Sequence, residues 1–98
     1  MVVTLSQWRI IMIFIETDFF TEDVQKLLND DEYGRLQIFL TLNPHHGDII
    51  PETGGVRVIY YYRASESEIR FLLIYKKVIK DDLTAQEKAM LRMLNARW

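Results

Sequence analysis

The sequence predicts a small α+β domain built around one hydrophobic core, and three observations lead there. Residues 56–63 alternate along a strand and are answered, after a polar turn, by a second strand pattern over residues 68–76, which together make an antiparallel hairpin. Residues 21–43 and 84–97 carry apolar side chains at helical spacing behind residues that cap helix starts. The chain has 98 residues, 49% hydrophobic and 27% charged, which is enough for a single core and too apolar for a disordered chain.

The elements follow in order. Residues 1–16 read as extended: Val2, Val3, Ile10, Ile11, Ile13, Phe14 and Ile15 favour strands and form no helical stripe, and a strand is expected over residues 9–16. Two starts fit this pattern, Met1 and Met12, the second making residues 1–11 an N-terminal extension of a domain spanning residues 12–98. Thr21 is the expected N-cap of a first helix, with Glu22 and Asp23 at the positive end of its dipole and Val24, Leu27 and Leu28 on its apolar face. Asn29 and Asp30 break and recap the chain. Tyr33, Leu36, Phe39 and Leu40 then mark a second helix that Asn43-Pro44 ends, so the two helices form a hairpin.

Gly47, Pro51, Gly54 and Gly55 make residues 45–55 a loop. In the strand that follows, Val56, Val58, Tyr60 and Tyr62 share one face, and Arg57, Ile59, Tyr61 and Arg63 the other. Strict alternation in the returning strand places Ile69, Phe71, Leu73 and Tyr75 opposite Arg70, Leu72, Ile74 and Lys76. Thr84 and Glu87 form a capping box for a closing helix reaching Arg97. The expected order is β-α-α-β-β-α, a small antiparallel sheet with an N-terminal helical hairpin and a C-terminal helix.

Composition excludes several classes of function. There is no cysteine, hence no disulfide, thiolate metal site or cysteine nucleophile, and a reducing cytoplasm fits best. The apolar run over residues 10–15 is too short to span a bilayer, and no membrane association is expected. His45 and His46 with Asp48 are adjacent in a loop, where two rings rarely reach one ion; no metal and no cofactor is expected, and the three read as solvated loop residues. Ser65 and Ser67 lack a histidine and acid at triad spacing, and Gly54-Gly55 lacks the Gly-Lys-Ser/Thr of a phosphate loop. Asp30, Asp31 and Glu32 are explained by the helix start they occupy.

Tyr60, Tyr61 and Tyr62 beside Arg57 and Arg63 admit two readings. Tyrosines are common strand packing residues, yet aromatic and guanidinium groups on an open sheet also stack on bases and grip phosphates. Tyr75, Lys76 and Lys77 join Arg57 in one basic patch if strand register allows. A net charge of −2 runs against phosphate binding.

Several fragments in fixed order carry a likeness: Phe14-Ile15-Glu16-Thr17 with Phe20, Asp30-Asp31-Glu32-Tyr33, Leu42-Asn43-Pro44, Gly47-Asp48, Ile50-Pro51, Thr53-Gly54-Gly55, residues 56–62, and Leu73-Ile74-Tyr75. From Met12 to Trp98 the chain closely resembles HigB-type toxins of the RelE/ParE superfamily. The resemblance implies the toxin of a type II toxin–antitoxin system: a metal-independent mRNA interferase that cuts messenger RNA on the ribosome and is neutralised by a helix-turn-helix antitoxin. It implies catalytic roles for Arg57, as the phosphate-binding arginine, and for Tyr75 and Lys77 in support; the strand chemistry adds Arg63, Tyr61 and Lys76 as candidate RNA-binding residues.

The chain departs from that pattern after Gly55. Relatives carry a further basic strand and a Lys/Arg/Gly-rich loop before a strand like residues 56–62, whereas here Gly55 leads straight into Val56, as if one central strand were missing. Weakened cleavage is expected, because each lost charge-stabilising donor typically costs about a hundredfold or more. An unpaired sheet edge is expected too, filled by residues 2–8 or by strand exchange into a homodimer. The competing expectation is a non-catalytic protein of toxin fold that binds an antitoxin or serves as co-repressor.

Overall fold

The structure is a computed structural model that describes residues 2–5, 10–45, 55–78 and 83–96. Its elements are β1 (Val2–Leu5), β2 (Ile10–Glu16), α1 (Asp18–Leu27), α2 (Asp30–Leu42), β3 (Val56–Arg63), a 3₁₀ turn (Ala64–Glu66), β4 (Glu68–Lys76) and α3 (Ala85–Ala96). The α+β class and both hairpins are as the patterning anticipates. Among the described residues no helix is long and apolar enough to cross a membrane.

The sheet is mixed rather than antiparallel. Its order is β1-β2-β4-β3, and the central pair β2 and β4 runs parallel, with Phe14 beside Ile69 and Glu16 beside Phe71. The cause is the connection: the helical hairpin and the antiparallel β3 lie between the two strands, so β4 re-enters in the direction of β2. Within the one chain β1 pairs antiparallel with the outer edge of β2, from Val2 opposite Ile13 to Leu5 opposite Ile10. The N-terminal segment thus covers a sheet edge, but the one farthest from β3.

The helical hairpin covers one sheet face. Met12 and Phe14 of β2, Val56 and Val58 of β3, and Ile69, Phe71 and Ile74 of β4 bury against Phe20, Val24 and Leu28 from the α1 region and Leu36 and Leu40 of α2. Phe71 stacks between Phe14 and Phe20, at ring-centroid distances of 5.4 and 4.4 Å, and Tyr33 tilts onto both Phe20 and Phe71. Aromatic burial on this scale dominates the energetics of so small a core.

The first cap is Thr17, not Thr21. Thr17 has extended backbone and its Oγ1 accepts from the Phe20 amide at 3.1 Å, while its own amide donates to the Phe71 carbonyl at 3.0 Å. Thr21 lies within the first turn, where its hydroxyl donates to Glu16 at 2.6 Å. Anchoring to β4 moves the helix start upstream, a tertiary influence absent from local pattern. The second helix starts at Asn29, whose side chain and that of Glu32 form a reciprocal capping box, and it ends at Asn43. Thr84 and Glu87 do the same for α3; Arg97, the expected limit of this helix, lies outside the described residues.

Strict alternation fails in β4. Tyr60 pairs with Phe71 and Ile59 with Leu73, so Leu72 is an extra residue, a β-bulge. Beyond it the faces exchange: Ile74, opposite Val58, joins Ile69 and Phe71 in the core, while Leu73 and Tyr75 turn to the other face with Ile59 and Arg57. Thr17 stabilises the irregularity by donating its hydroxyl to the Leu72 carbonyl at 2.7 Å.

Candidate nucleic-acid interface

The second sheet face belongs to α3, which covers it loosely; no residue of the helix is buried. A polar tether holds its C-terminal end. Buried Arg70 of β4 donates from Nη1 to the carbonyl oxygen and side-chain Oδ1 of Asn95, at 3.0 and 3.1 Å. The same guanidinium donates from Nε to Glu68 at 2.8 Å, and Arg63 of β3 reaches the same carboxylate oxygen at 3.2 Å. Partial burial alone raises the Glu68 pKa, but the hydrogen bonds and charges of Arg70 and Arg63 outweigh it and hold the carboxyl below its usual range.

Between helix and sheet lies a cleft of about 480 Å³. From the sheet come Arg57, Ile59, Tyr61 and Leu72, and from α3 come Lys88, Leu91, Arg92 and Asn95, one helical face at successive turns. Among the described residues that line it none is acidic. A second hollow of about 430 Å³ shares Tyr61, Arg92 and Asn95 with the first and adds Arg63 and Arg70, so the two form one basic groove. Arg57 is only 9% exposed, set among Ile59, Leu72 and Leu83, whereas Tyr61 is 46% exposed at the rim. A cation in partly apolar surroundings attracts an anion more strongly than one in open solvent.

The triple tyrosine run divides by strand face. Tyr60 and Tyr62 pack against the core, the first donating its hydroxyl to the Pro44 carbonyl at 2.9 Å and the second meeting the His45 ring edge-on at 5.0 Å. Tyr61 faces the groove and borders both hollows, while Tyr60 reaches the lining of the first alone. His45 is therefore an aromatic neighbour of Tyr62; His46 and Asp48 lie outside the described residues. Among the described residues there is no group of three His, Asp or Glu placed to share a metal ion.

The other sequence-derived candidates separate as follows. Tyr75 stands opposite Arg57 on the groove face. Lys76 pairs with core residue Val56 and so shares that strand face, away from Arg57. Lys77, exposed just past β4, donates its amide to the Gly55 carbonyl at 2.9 Å, closing the hairpin where Gly55 takes a left-handed φ of 84°. Arg57, Tyr61, Arg63 and Tyr75 thus converge on one face. Lys88, Arg92 and Arg70 are additions from the structure; their only sequence signal is the i, i+4 spacing of Lys88 and Arg92 on a well-capped helix.

Charge is segregated along the chain. Residues 16–42 hold Glu16, Asp18, Glu22, Asp23, Asp30, Asp31 and Glu32 against Lys26 and Arg35. The described residues from 55 onward hold Arg57, Arg63, Arg70, Lys76, Lys77, Lys88 and Arg92 against Glu66, Glu68 and Glu87. The net charge of −2 averages an anionic hairpin with a cationic sheet and helix.

On its other side α3 borders an apolar groove of about 440 Å³ that includes Phe19, Leu73, Met90, Met93 and Leu94. Phe19 and Met90 are each 63% exposed. A scan against protein-family models finds no match for the chain.

Proposed function

We propose that the chain is an RNA-binding toxin homologue of the RelE/HigB kind, acting on messenger RNA at the ribosome in the cytoplasm and paired with a helix-turn-helix antitoxin. One observation carries this reading: Arg57, Lys88 and Arg92 converge with exposed Tyr61 on a cleft whose described lining has no carboxylate, while α1 and α2 carry six carboxylates against two cations. That combination suits a single strand, whose phosphates need cations and whose bases need an open aromatic face.

Arg57 is the group suited to hold a phosphate and the negative charge that grows on it during attack by a ribose 2′-hydroxyl. Tyr75 stands beside it, and Lys77 is two residues further along the chain. The described lining offers cations and phenols but neither imidazole nor carboxylate to take the 2′-hydroxyl proton. Binding is accordingly better provided for than cleavage, and the reading is of a weak, metal-independent endoribonuclease. Ribosomes programmed with a defined message and incubated with the purified chain test it: slow cleavage at a defined site supports nuclease function. RNA binding without any cut restricts the function to binding, and no RNA binding removes the reading.

A second reading is favoured by the groove between Phe19 and Met90: a non-catalytic protein that docks an antitoxin segment or acts as co-repressor. Expression that leaves growth unaffected while an antitoxin co-purifies distinguishes it from the first.

A further inference from the structure

The cleft has two walls, and the sheet wall contributes one cation, Arg57, to the first hollow. The helix wall contributes Lys88 and Arg92, both exposed, one turn apart on the same face of α3. Four residues of helix advance about 6 Å along the axis. This is about the step from one phosphate to the next along an extended single strand. Arg92 also lines the second hollow, with Arg63 and Arg70, so a strand passing from one hollow to the other meets it midway.

We infer that α3 forms a phosphate clamp: Lys88 and Arg92 bind successive backbone phosphates of a single-stranded RNA whose neighbouring base stacks on Tyr61, with Arg57 gripping from the opposite wall. The inference rests on the RNA reading and extends it to residues that no resemblance assigns. It also accounts for how an acidic chain holds a polyanion. With six carboxylates against two cations on α1 and α2, the strand is repelled from the helical hairpin and favoured along the face where α3 meets the sheet. Asn95, held by Arg70, fixes the end of the helix that carries the pair.

Salt dependence of binding tests this on the full chain, with a short fluorescein-labelled oligouridine titrated at several KCl concentrations. Each phosphate contact on a single strand contributes a slope of about 0.7 to log affinity against log salt. The double variant Lys88→Gln/Arg92→Gln, which keeps good helix formers, should lower that slope by about 1.4 and weaken binding about tenfold or more at low salt. The control Lys26→Gln/Arg35→Gln, which removes two cations from the helical hairpin, should change neither. A melting curve like the wild type's shows that the clamp variant is folded, as expected for exposed positions. Wild-type binding that persists unchanged in the clamp variant overturns the inference and leaves the RNA reading standing; undetectable binding by the wild type overturns both.

Discussion

Arg57 of β3 and Tyr75 of β4 are direct register partners, and the bulge at Leu72 is what puts them on the same face as α3. Without the extra residue Tyr75 would fall in line with Ile69 and Phe71 under the helical hairpin. A defect in pairing thus delivers a phenol to the strand face that bears Arg57. It stands beside Arg57, the most enclosed cation lining the first hollow.

Arg57→Met keeps much of the side-chain stem and removes the charge. The variant should fold, while oligouridine affinity falls about tenfold and the salt slope drops by about 0.7, because one charge-assisted phosphate contact is gone. Any ribosome-dependent cleavage should fall by about a hundredfold or more. Fluorescence titration and primer extension measure the two. Unchanged affinity would remove Arg57 from the interface.

Thr17 links the bulge to the first helix. Its hydroxyl accepts from the Phe20 amide and donates to the Leu72 carbonyl, so Thr17→Val preserves shape and loses both bonds. A lost N-cap and an unsatisfied carbonyl together should cost about 1–3 kcal/mol. For a domain of this size each kcal/mol lowers Tm by about 4–8 °C. Thr17→Ser should recover most of the loss in a thermal melt followed by circular dichroism. A valine variant melting with the wild type would show that neither bond contributes.

Most of the fold is legible in the sequence, and the exceptions share a cause. Local signals such as the recapping at Asn29, the Thr84 capping box and the alternation in β3 are satisfied within a few residues, and the structure realises them as read. The first helix cap, the bulge and the parallel pairing of β2 with β4 depend on contacts across many residues, such as Thr17 with Leu72. No local pattern encodes these. The candidate site divides the same way: Arg57, Tyr61 and Arg63 follow from strand alternation. Lys88 and Arg92 belong to the groove only because α3 folds across the sheet.

Glu68 should make stability sensitive to acid. Arg70 and Arg63 hold its folded-state pKa below the ordinary glutamate value of 4.5. The unfolded chain therefore takes up a proton at a higher pH than the folded one. The stabilisation is present above the unfolded value and is lost as pH falls through the folded value. Denaturant midpoints measured from neutral pH down to about pH 3 should decline less steeply in Glu68→Gln than in the wild type. Because Arg70 also holds Asn95, the amide of Asn95 should lose hydrogen-exchange protection in the same acidic range. Parallel midpoint curves for the two proteins would exclude Glu68 as the group responsible.

Tyr33 should give the opposite limb. Its hydroxyl donates to Glu16, and its pKa is raised first by burial and then by that carboxylate, so the folded chain keeps the phenol proton after the unfolded chain releases it. The stabilisation is complete below the unfolded tyrosine value of about 10 and shrinks as pH rises above it. Tyr33→Phe removes a hydrogen bond to a charged group, with Thr21 still donating to Glu16, and should lose about 1.5–3 kcal/mol at neutral pH. The stability gap between wild type and variant should then narrow from about pH 9 to about pH 11, because only the wild type has this phenol to titrate. Urea unfolding across that range reads the gap directly. One that stays constant would mean that Tyr33 is as acidic folded as unfolded, which contradicts its burial between Phe20, Phe71 and Glu16.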